Sequence, residues 1–314
     1  MLPLLLFARL ATGKDQALIA PLSQGAEPAV PTGRANAPAL EVTSPQVVAA
    51  PVAVPAVQTS QRRIELLSTP PDVDAHAYAI LDRGCGQWIA VKNPNERMPP
   101  ASLTKIITAM VVRSRSNLDD TVLINVSGKR MAAKGSSVMG IEPGMLLSVR
   151  DLLNGLFLAS GNDAAEALAQ YIAGNDDAFA ALMNQAAAQL HMVDTHFSNP
   201  HGLDDANLYS SASDLALAGS AFLNDPILTQ ISSTPEYMPN WKGAVLKNGN
   251  RLLQSYPGAF GVKIGFTERA HQTLVAAAER DGRQIVVSLL KTEDRYADAE
   301  ALLDWAFANS KASC

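Results

Sequence analysis

Apolar and polar positions keep two rhythms along this chain. "AHAYAILD" (75–82) and "QWIAVK" (87–92) are short apolar runs of strand length, and "RGCG" between them is a glycine-bearing turn, so 76–91 reads as a β-hairpin. "PPASLTKIITAMVV" (99–112) changes the rhythm. Its two prolines stop what precedes them, and proline suits the first turn of a helix because its missing N–H is not needed there. A helix is predicted near 101–113. "LLNGLFLASGNDAAEALAQYIAG" (152–174) has the spacing of two helices, with a break at "SGN" and a stop at Gly174. In "AFGVKIGFTERAHQTLVAAAERDGRQIVVSLL" (259–290) a short strand through "GVKIGF" precedes a strand, the turn "RDGR" and another strand. "YADAEALLDWAFANS" closes the chain as a helix near 296–308.

These elements predict an α+β fold. Strands joined by tight turns make a mainly antiparallel sheet, drawn from both ends of the folded region, with the two end helices packed on it. The stretch from about 100 to 230 forms a mostly helical subdomain on one side, and the segment 118–153 adds small strands at the rim of the cleft between them.

Composition changes the picture at the N-terminus. Residues 1–71 hold ten of the nineteen prolines and one aromatic, Phe7. Such a segment cannot bury enough apolar surface to fold alone. The expected organisation is a disordered Pro/Ala-rich tail or linker over 1–69 and one folded domain over 70–314. "MLPLLLF" is too short to span a bilayer and lacks the positive residues that begin an export signal. It reads either as part of a plain tail or as a clipped signal followed by a spacer. A C-terminal anchor is expected to be either absent or cut away, which leaves the tail as the remaining candidate for a membrane tether.

Charge and cysteines exclude some classes. The net charge of −5 comes without any Lys/Arg run, which argues against a nucleic-acid partner. Cys85 and Cys314 are too few for a disulfide scaffold and fit no zinc spacing. Both are expected as free thiols. The five histidines (His76, His191, His196, His201 and His271) form no H-E-x-x-H. No metal and no cofactor are expected.

Three short motifs carry the chemistry. Ser102 and Lys105 lie one helical turn apart on one face. A serine hydroxyl needs a neighbouring base, and a lysine can be that base if burial or a nearby positive charge lowers its pKa. Alone, S-x-x-K is more often a surface serine beside a lysine whose stem covers apolar residues. Ser160 and Asn162 sit in the break at "SGN", where they either project into a cleft or merely cap a helix. Lys263 lies in an apolar strand two residues before Gly265. The glycine admits close approach to the backbone, and an exposed strand edge can bind a substrate as an added strand; the plain alternative is an edge lysine that discourages aggregation. In combination, in this order and 58 (102 to 160) and 103 (160 to 263) residues apart, the three are far more specific.

The chain resembles the low-molecular-mass penicillin-binding proteins, specifically the D-alanyl-D-alanine carboxypeptidases. The likeness covers about 70–310 and includes "PASLTKIITA", "VRDLLNGLFLASGNDAAEALA", "DTHFSNPHGLD", "YSSASDLALAG" and "GVKIGFT". It implies a β-lactamase/DD-peptidase-like fold in the cell envelope, acting on peptidoglycan stem peptides and acylated by β-lactam antibiotics. It implies that Ser102 attacks the carbonyl between the terminal D-alanines and Lys105 takes its proton. Ser160 relays a proton to the leaving amine, Asn162 holds the substrate amide and Lys105, and Lys263 attracts the terminal carboxylate. The backbone N–H groups of Ser102 and Phe266 would face the oxyanion, an arrangement that opposes developing charge without reorganisation. The usual K-T-G or K-S-G reads K-I-G here, so Ile264 offers no hydroxyl to that carboxylate, and Thr267 is expected to share the duty.

Three alternatives stay open: a DD-endopeptidase on cross-links, a β-lactamase, and a weak pseudo-enzyme that binds peptidoglycan. Against the β-lactamase, 167–235 contains no glutamate where class A enzymes place their deacylating Glu. Glu166 is expected on a helix, facing solvent.

Overall fold

A computed structural model of the chain describes residues 63–241 and 243–313. The tail, signal and tether expectations for residues 1–62 lie outside the described residues. One boundary moves. Strand β1 (Arg63–Leu66) falls inside the stretch assigned to the tail, yet it pairs antiparallel with the last described residues of the chain, Ser310–Ser313. Beyond it, the Leu67 N–H bonds Asn309 O, and Trp305 Nε1 donates to Ser68 Oγ. Structure therefore begins before residue 70.

The central sheet is built from β2 (Ala77–Asp82) and β3 (Gln87–Lys92) and, more than 150 residues on, from three long strands. Between them come the short ladder of β4 (Thr121–Leu123) and β5 (Leu146–Ser148), and that of β6 (Glu236–Tyr237) and β7 (Leu246–Lys247). The long strands are β8 (Ala259–Thr267), β9 (His271–Arg280) and β10 (Arg283–Thr292), followed by β11 (Ser310–Ser313). Spatial order in the five-stranded sheet is β3-β2-β10-β9-β8, antiparallel throughout. This is the expected α+β architecture, and it leaves β8 with a free edge.

Period-2 alternation explains why the middle strands read as continuous apolar runs: both faces are buried. Ala77, Ala79 and Leu81 with Val275, Ala277 and Val286 join the core under the helical layer, while Tyr78 and Ile80 with Leu274, Ala276, Ile285 and Val287 join a second core. The helical layer holds α1 (Lys105–Arg115), the single turn α2 (Gly128–Ala132), α3 (Val149–Leu158), α4 (Asn162–Ala173), α5 (Asp176–Gln189), α6 (Ala212–Phe222) and α7 (Pro226–Ser233). The turn α8 (Leu252–Ser255) and the long α9 (Arg295–Asn309) follow, and α9 covers the other face of the sheet.

Local chemistry sets these boundaries. Ser148 and Asp151 form a reciprocal capping box on α3. Gly174 takes the left-handed conformation, φ 82°, that ends α4. One expectation is corrected. The helix after Pro100 packs chiefly on other helices rather than on the sheet; α1 lies among α3, α4, α5 and α6 and touches the edge strand β8, while α6 covers the sheet. The reason is close approach: a methyl group on Gly219 of α6 would stand 2.6 Å from Val275 Cγ1, so only a helix with a bare patch fits there. Cys85 is also corrected, being disulfide-bonded rather than free. Cys314 lies outside the described residues.

Candidate active site

Ser102 sits in a 3₁₀ turn, Ala101–Thr104, that feeds directly into α1. The turn is pinned from several sides. Thr104 Oγ1 donates to Ala101 O, and Thr273 Oγ1 of β9 donates to Pro100 O. Ala101 itself is held at φ +51°, a conformation that costs a non-glycine residue about 1–2 kcal/mol. Two glycines press against this turn. A methyl on Gly265 would lie 2.9 Å from Ser102 N, and one on Gly202 would lie 1.9 Å from Ala101 O. The strand edge of β8 and the 199–204 loop thus both meet the backbone at Ala101 and Ser102, and only glycine permits either contact.

Lys105 is fully buried. Its Nζ lies 2.9 Å from Ser102 Oγ, 2.6 Å from Asn162 Oδ1 and 2.6 Å from His201 O. Burial and then the charge of Lys263 hold its pKa well below the usual lysine range, with Asp163 opposing weakly. A neutral amine has two N–H donors and one lone pair. Asn162 Oδ1 and His201 O are pure acceptors and take both donors, which leaves the lone pair for the proton of Ser102.

Ser160 lies in the break between α3 and α4 at φ +52°. Its Oγ accepts from Lys263 Nζ at 3.0 Å. Lys263 is buried on β8, and its pKa is pulled down to about 7, first by burial and then by Arg295. Asn162 Nδ2 donates to Ser136 Oγ at 2.6 Å, which orients the amide so that its oxygen faces Lys105. One residue on, the Asp163 carboxylate accepts the N–H groups of Met139, Gly140 and Ile141. The start of α4 therefore clamps the 136–141 loop to the wall of the site.

The structure thus brings together Ser102, Lys105, Ser160, Asn162, Lys263 and Gly265. Phe266 is 57% exposed at the end of β8. Thr267 is on the same strand face as Lys263 and Gly265, but its hydroxyl donates to Asp204 Oδ1 at 2.8 Å. Ile264 packs with the α9-side core, and its Cδ1 would be 3.3 Å from a methyl on Gly249. Four participants escape a reading of the sequence. They are the His201 carbonyl, Ser136, Asp204 and Arg295, whose guanidinium bonds Gly265 O and Thr273 O and so fixes β8 and adds positive charge beneath it.

Glu166 also departs from expectation. It is half-buried, with its carboxylate 3.9 Å from His201 Nε2. Burial, then Asp176 and Asp163, raise its pKa. Glu166, Asp176 and His201 bring their ligand atoms within 4.8 Å of one another, but the ring is wrongly disposed for a metal. Its Nδ1 accepts the Leu203 N–H, so the neutral ring carries its proton on Nε2, toward Glu166. Burial, then Lys105, hold the His201 pKa down at about 3, so the neutral form persists.

A buried lysine poised on a serine, a second serine backed by a second lysine, and a free strand edge define a serine hydrolase that works through an acyl-enzyme. The family model of the D-alanyl-D-alanine carboxypeptidases matches residues 65–293, and the chain belongs to that family. It is 37% identical over 254 residues to D-alanyl-D-alanine carboxypeptidase DacB2 of Mycobacterium tuberculosis, covering 77% of this chain and 86% of the relative. It is 35% identical to D-alanyl-D-alanine carboxypeptidase DacA of Escherichia coli, covering 76% of this chain but 62% of that relative's length. Among solved structures, a D-alanyl-D-alanine carboxypeptidase from M. tuberculosis superposes with a TM-score of 0.72 at 34% identity, covering 79% of this chain and 96% of that one. The Streptomyces K15 DD-transpeptidase gives 0.71 at 31% identity, covering 77% and all of that chain.

Proposed function

We propose that this chain removes the terminal D-alanine from peptidoglycan stem peptides through an acyl-enzyme on Ser102. The observation that carries the reading is the surroundings of Lys105: its buried Nζ lies within hydrogen-bond reach of Ser102 Oγ and of two fixed acceptors, Asn162 Oδ1 and His201 O, so that in the neutral amine those acceptors occupy both donors and the lone pair is left for the Ser102 proton. Lys105 takes the serine proton as Oγ attacks the penultimate D-alanine carbonyl. The N–H groups of Ser102 and Phe266 face the resulting oxyanion. Ser160, with Lys263 behind it, returns a proton to the departing amine. D-Alanine leaves, and water then attacks the ester. Lys263 and Arg295 supply the positive field that draws the terminal carboxylate. A β-lactam follows the same course as far as the ester, so these antibiotics are expected covalent inhibitors.

The bonding described here favours an active enzyme over a pseudo-enzyme. It also disfavours the β-lactamase reading, because the Glu166 carboxylate faces His201 Nε2 at 3.9 Å. Peptidoglycan lies outside the cytoplasmic membrane, so the proposed site of action is the envelope. Among the described residues no helix is long and apolar enough to cross a membrane. The Pro/Ala-rich segment before β1 is proposed as a spacer or tether.

The test is direct. Incubated with a diacylated D-Ala-D-Ala peptide, the protein should release free D-alanine, and penicillin should add its mass to the tryptic peptide containing Ser102. No D-alanine release together with no adduct would overturn the reading.

A further inference from the structure

Thr108 lies three residues past Lys105, so the two side chains share one face of α1. It is fully buried, and no step of the proposed chemistry touches it. A threonine inside a helix ordinarily returns its one hydroxyl proton to the carbonyl four residues back. Here that carbonyl, Thr104 O, is 3.4 Å away, and Met183 Sδ is 3.8 Å away. Pro200 O lies at 2.6 Å and takes the proton. It is the carbonyl immediately before His201 O, which itself lies 2.6 Å from Lys105 Nζ. Two successive carbonyls of the loop are thus received by two side chains one turn apart on α1.

The other bonds of this loop fix its shape and not its place against α1. Asn199 Oδ1 accepts the N–H groups of His201 and Gly202, and its amide donates to Leu203 O. His201 Nδ1 accepts the Leu203 N–H. The Glu166 carboxylate, 3.9 Å from His201 Nε2, is beyond hydrogen-bond range. Gly202 abuts the Ala101 carbonyl, which stops the loop from coming closer without holding it there. Among the described residues, the hydrogen bonds that reach 199–203 from outside are those of Thr108 and Lys105.

We propose that Thr108 is a positioning residue for the base: by holding Pro200 O, its hydroxyl sets His201 O in place as an acceptor for Lys105. The inference rests on the peptidase reading above. Adjacent carbonyls are related through a planar peptide, so the first fixes the second. Without the anchor, His201 O is held by Lys105 alone. The neutral amine then loses a fixed acceptor, and its lone pair is free to turn from Ser102. The same carbonyl binds an ammonium more strongly than an amine, so loosening it lowers the Lys105 pKa further. The charged groups that face Lys105 are Lys263 from β8 and Asp163 from α4, and the His201 ring faces it neutral. Removing an uncharged hydroxyl leaves that field unchanged.

The experiment follows the rate of acylation by penicillin against pH in the full chain, in Thr108→Val and in Thr108→Ser. The first keeps the branched bulk and removes the hydroxyl; the second keeps the hydroxyl. Thr108→Val should lower the plateau rate about two- to tenfold, the effect of one hydrogen bond. It should also move the rising limb to lower pH, by up to about one unit. Thr108→Ser should restore both. Should Thr108→Val fail to fold, Thr108→Ala, which removes the hydroxyl without crowding, carries the same test. A folded variant with the parental profile overturns the proposal. So does a plateau that falls while the limb stays in place, which is what a merely structural loss gives, and so does a serine variant as slow as the valine one. Labelling of the parent chain separates the two readings. A parent that labels beside an unmoved variant profile sinks this proposal alone, whereas a parent that neither labels nor releases D-alanine sinks both.

Discussion

The two ends of the cleft are built differently. At the inner end, Lys105 is fully buried, and each of its three partners is itself held by the fold. At the outer end, Ile264 has no hydroxyl, Phe266 is 57% exposed, and Thr267 is bonded across the opening to Asp204. Proton transfer needs a dry, fixed geometry in which the base cannot be rehydrated. Recognition of an incoming peptide needs an accessible edge. The contrast predicts that substitutions at the inner end abolish chemistry whatever the substrate, while those at the outer end change which substrate is preferred.

The inner end has the largest effects. Ser102→Ala should remove penicillin labelling altogether and lower turnover by about 10⁶, the scale on which loss of a serine nucleophile is felt. Labelling that persists would move the nucleophile elsewhere. Lys105→Ala should keep the serine but lose its base, lowering acylation by about 10²–10⁴, read by stopped-flow quenching with penicillin. The same residue gives the pH profile its rising limb. Only the neutral amine is a base, and its pKa lies well below the ordinary lysine range, so acylation should climb with pH and level off before that range. Lys263 acts in the opposite sense. With a pKa of about 7, it is charged below neutrality and loses its charge above, so KM for a free-acid peptide should rise above pH about 7. A C-terminal amide should not show that rise. Identical KM profiles for the two peptides would remove Lys263 from the carboxylate site.

How much of this was legible beforehand divides along the same line. Ser102 and Lys105 are three residues apart on one turn, so their juxtaposition is local and visible in the sequence. The break at "SGN" was visible because two apolar helical patterns flank it and Gly174 closes the second. The third ligand of Lys105 was not visible, because it is a main-chain carbonyl, at His201, and a carbonyl has no residue signature. Arg295 lies 32 positions past Lys263 (263 to 295); only the packing of α9 under the sheet puts its guanidinium on Gly265 O. Strand β1 was missed for a related reason: its four residues pair with the far end of the chain, and nothing local in "RIEL" reports that partner. Register between distant strands is a tertiary property, so composition alone assigned the segment to the tail.

At the outer end, Ile264→Thr should raise kcat/KM on a D-Ala-D-Ala peptide by about tenfold, the lower end of what a hydrogen bond to a charged group contributes. Part of the gain is offset, because Ile264 packs against the α9-side core beside Gly249, and the melting temperature should fall. Equal activity of variant and parent on both peptide and penicillin would show that the carboxylate is held away from this position.

The smallest effect lies where the two regions meet. Ser136 belongs to the 136–141 loop on the cleft wall, yet its Oγ accepts from Asn162 Nδ2 and so orients the oxygen that holds Lys105. Removing that acceptor does not remove a reacting group. Asn162 keeps its place, since its own N–H still bonds Ser137 O, and Asp163 still clamps the loop. What is lost is one neutral hydrogen bond, about 0.5–1.5 kcal/mol, felt as an amide that samples both orientations. In the flipped orientation an NH₂ group faces Lys105, one acceptor disappears, and the lone pair is no longer directed at Ser102. Ser136→Ala should therefore lower acylation about two- to tenfold, and equally for the free-acid peptide, its amide and penicillin, because the defect is in the base. A loss confined to the free-acid peptide would instead assign Ser136 to recognition and extend the outer region along the loop.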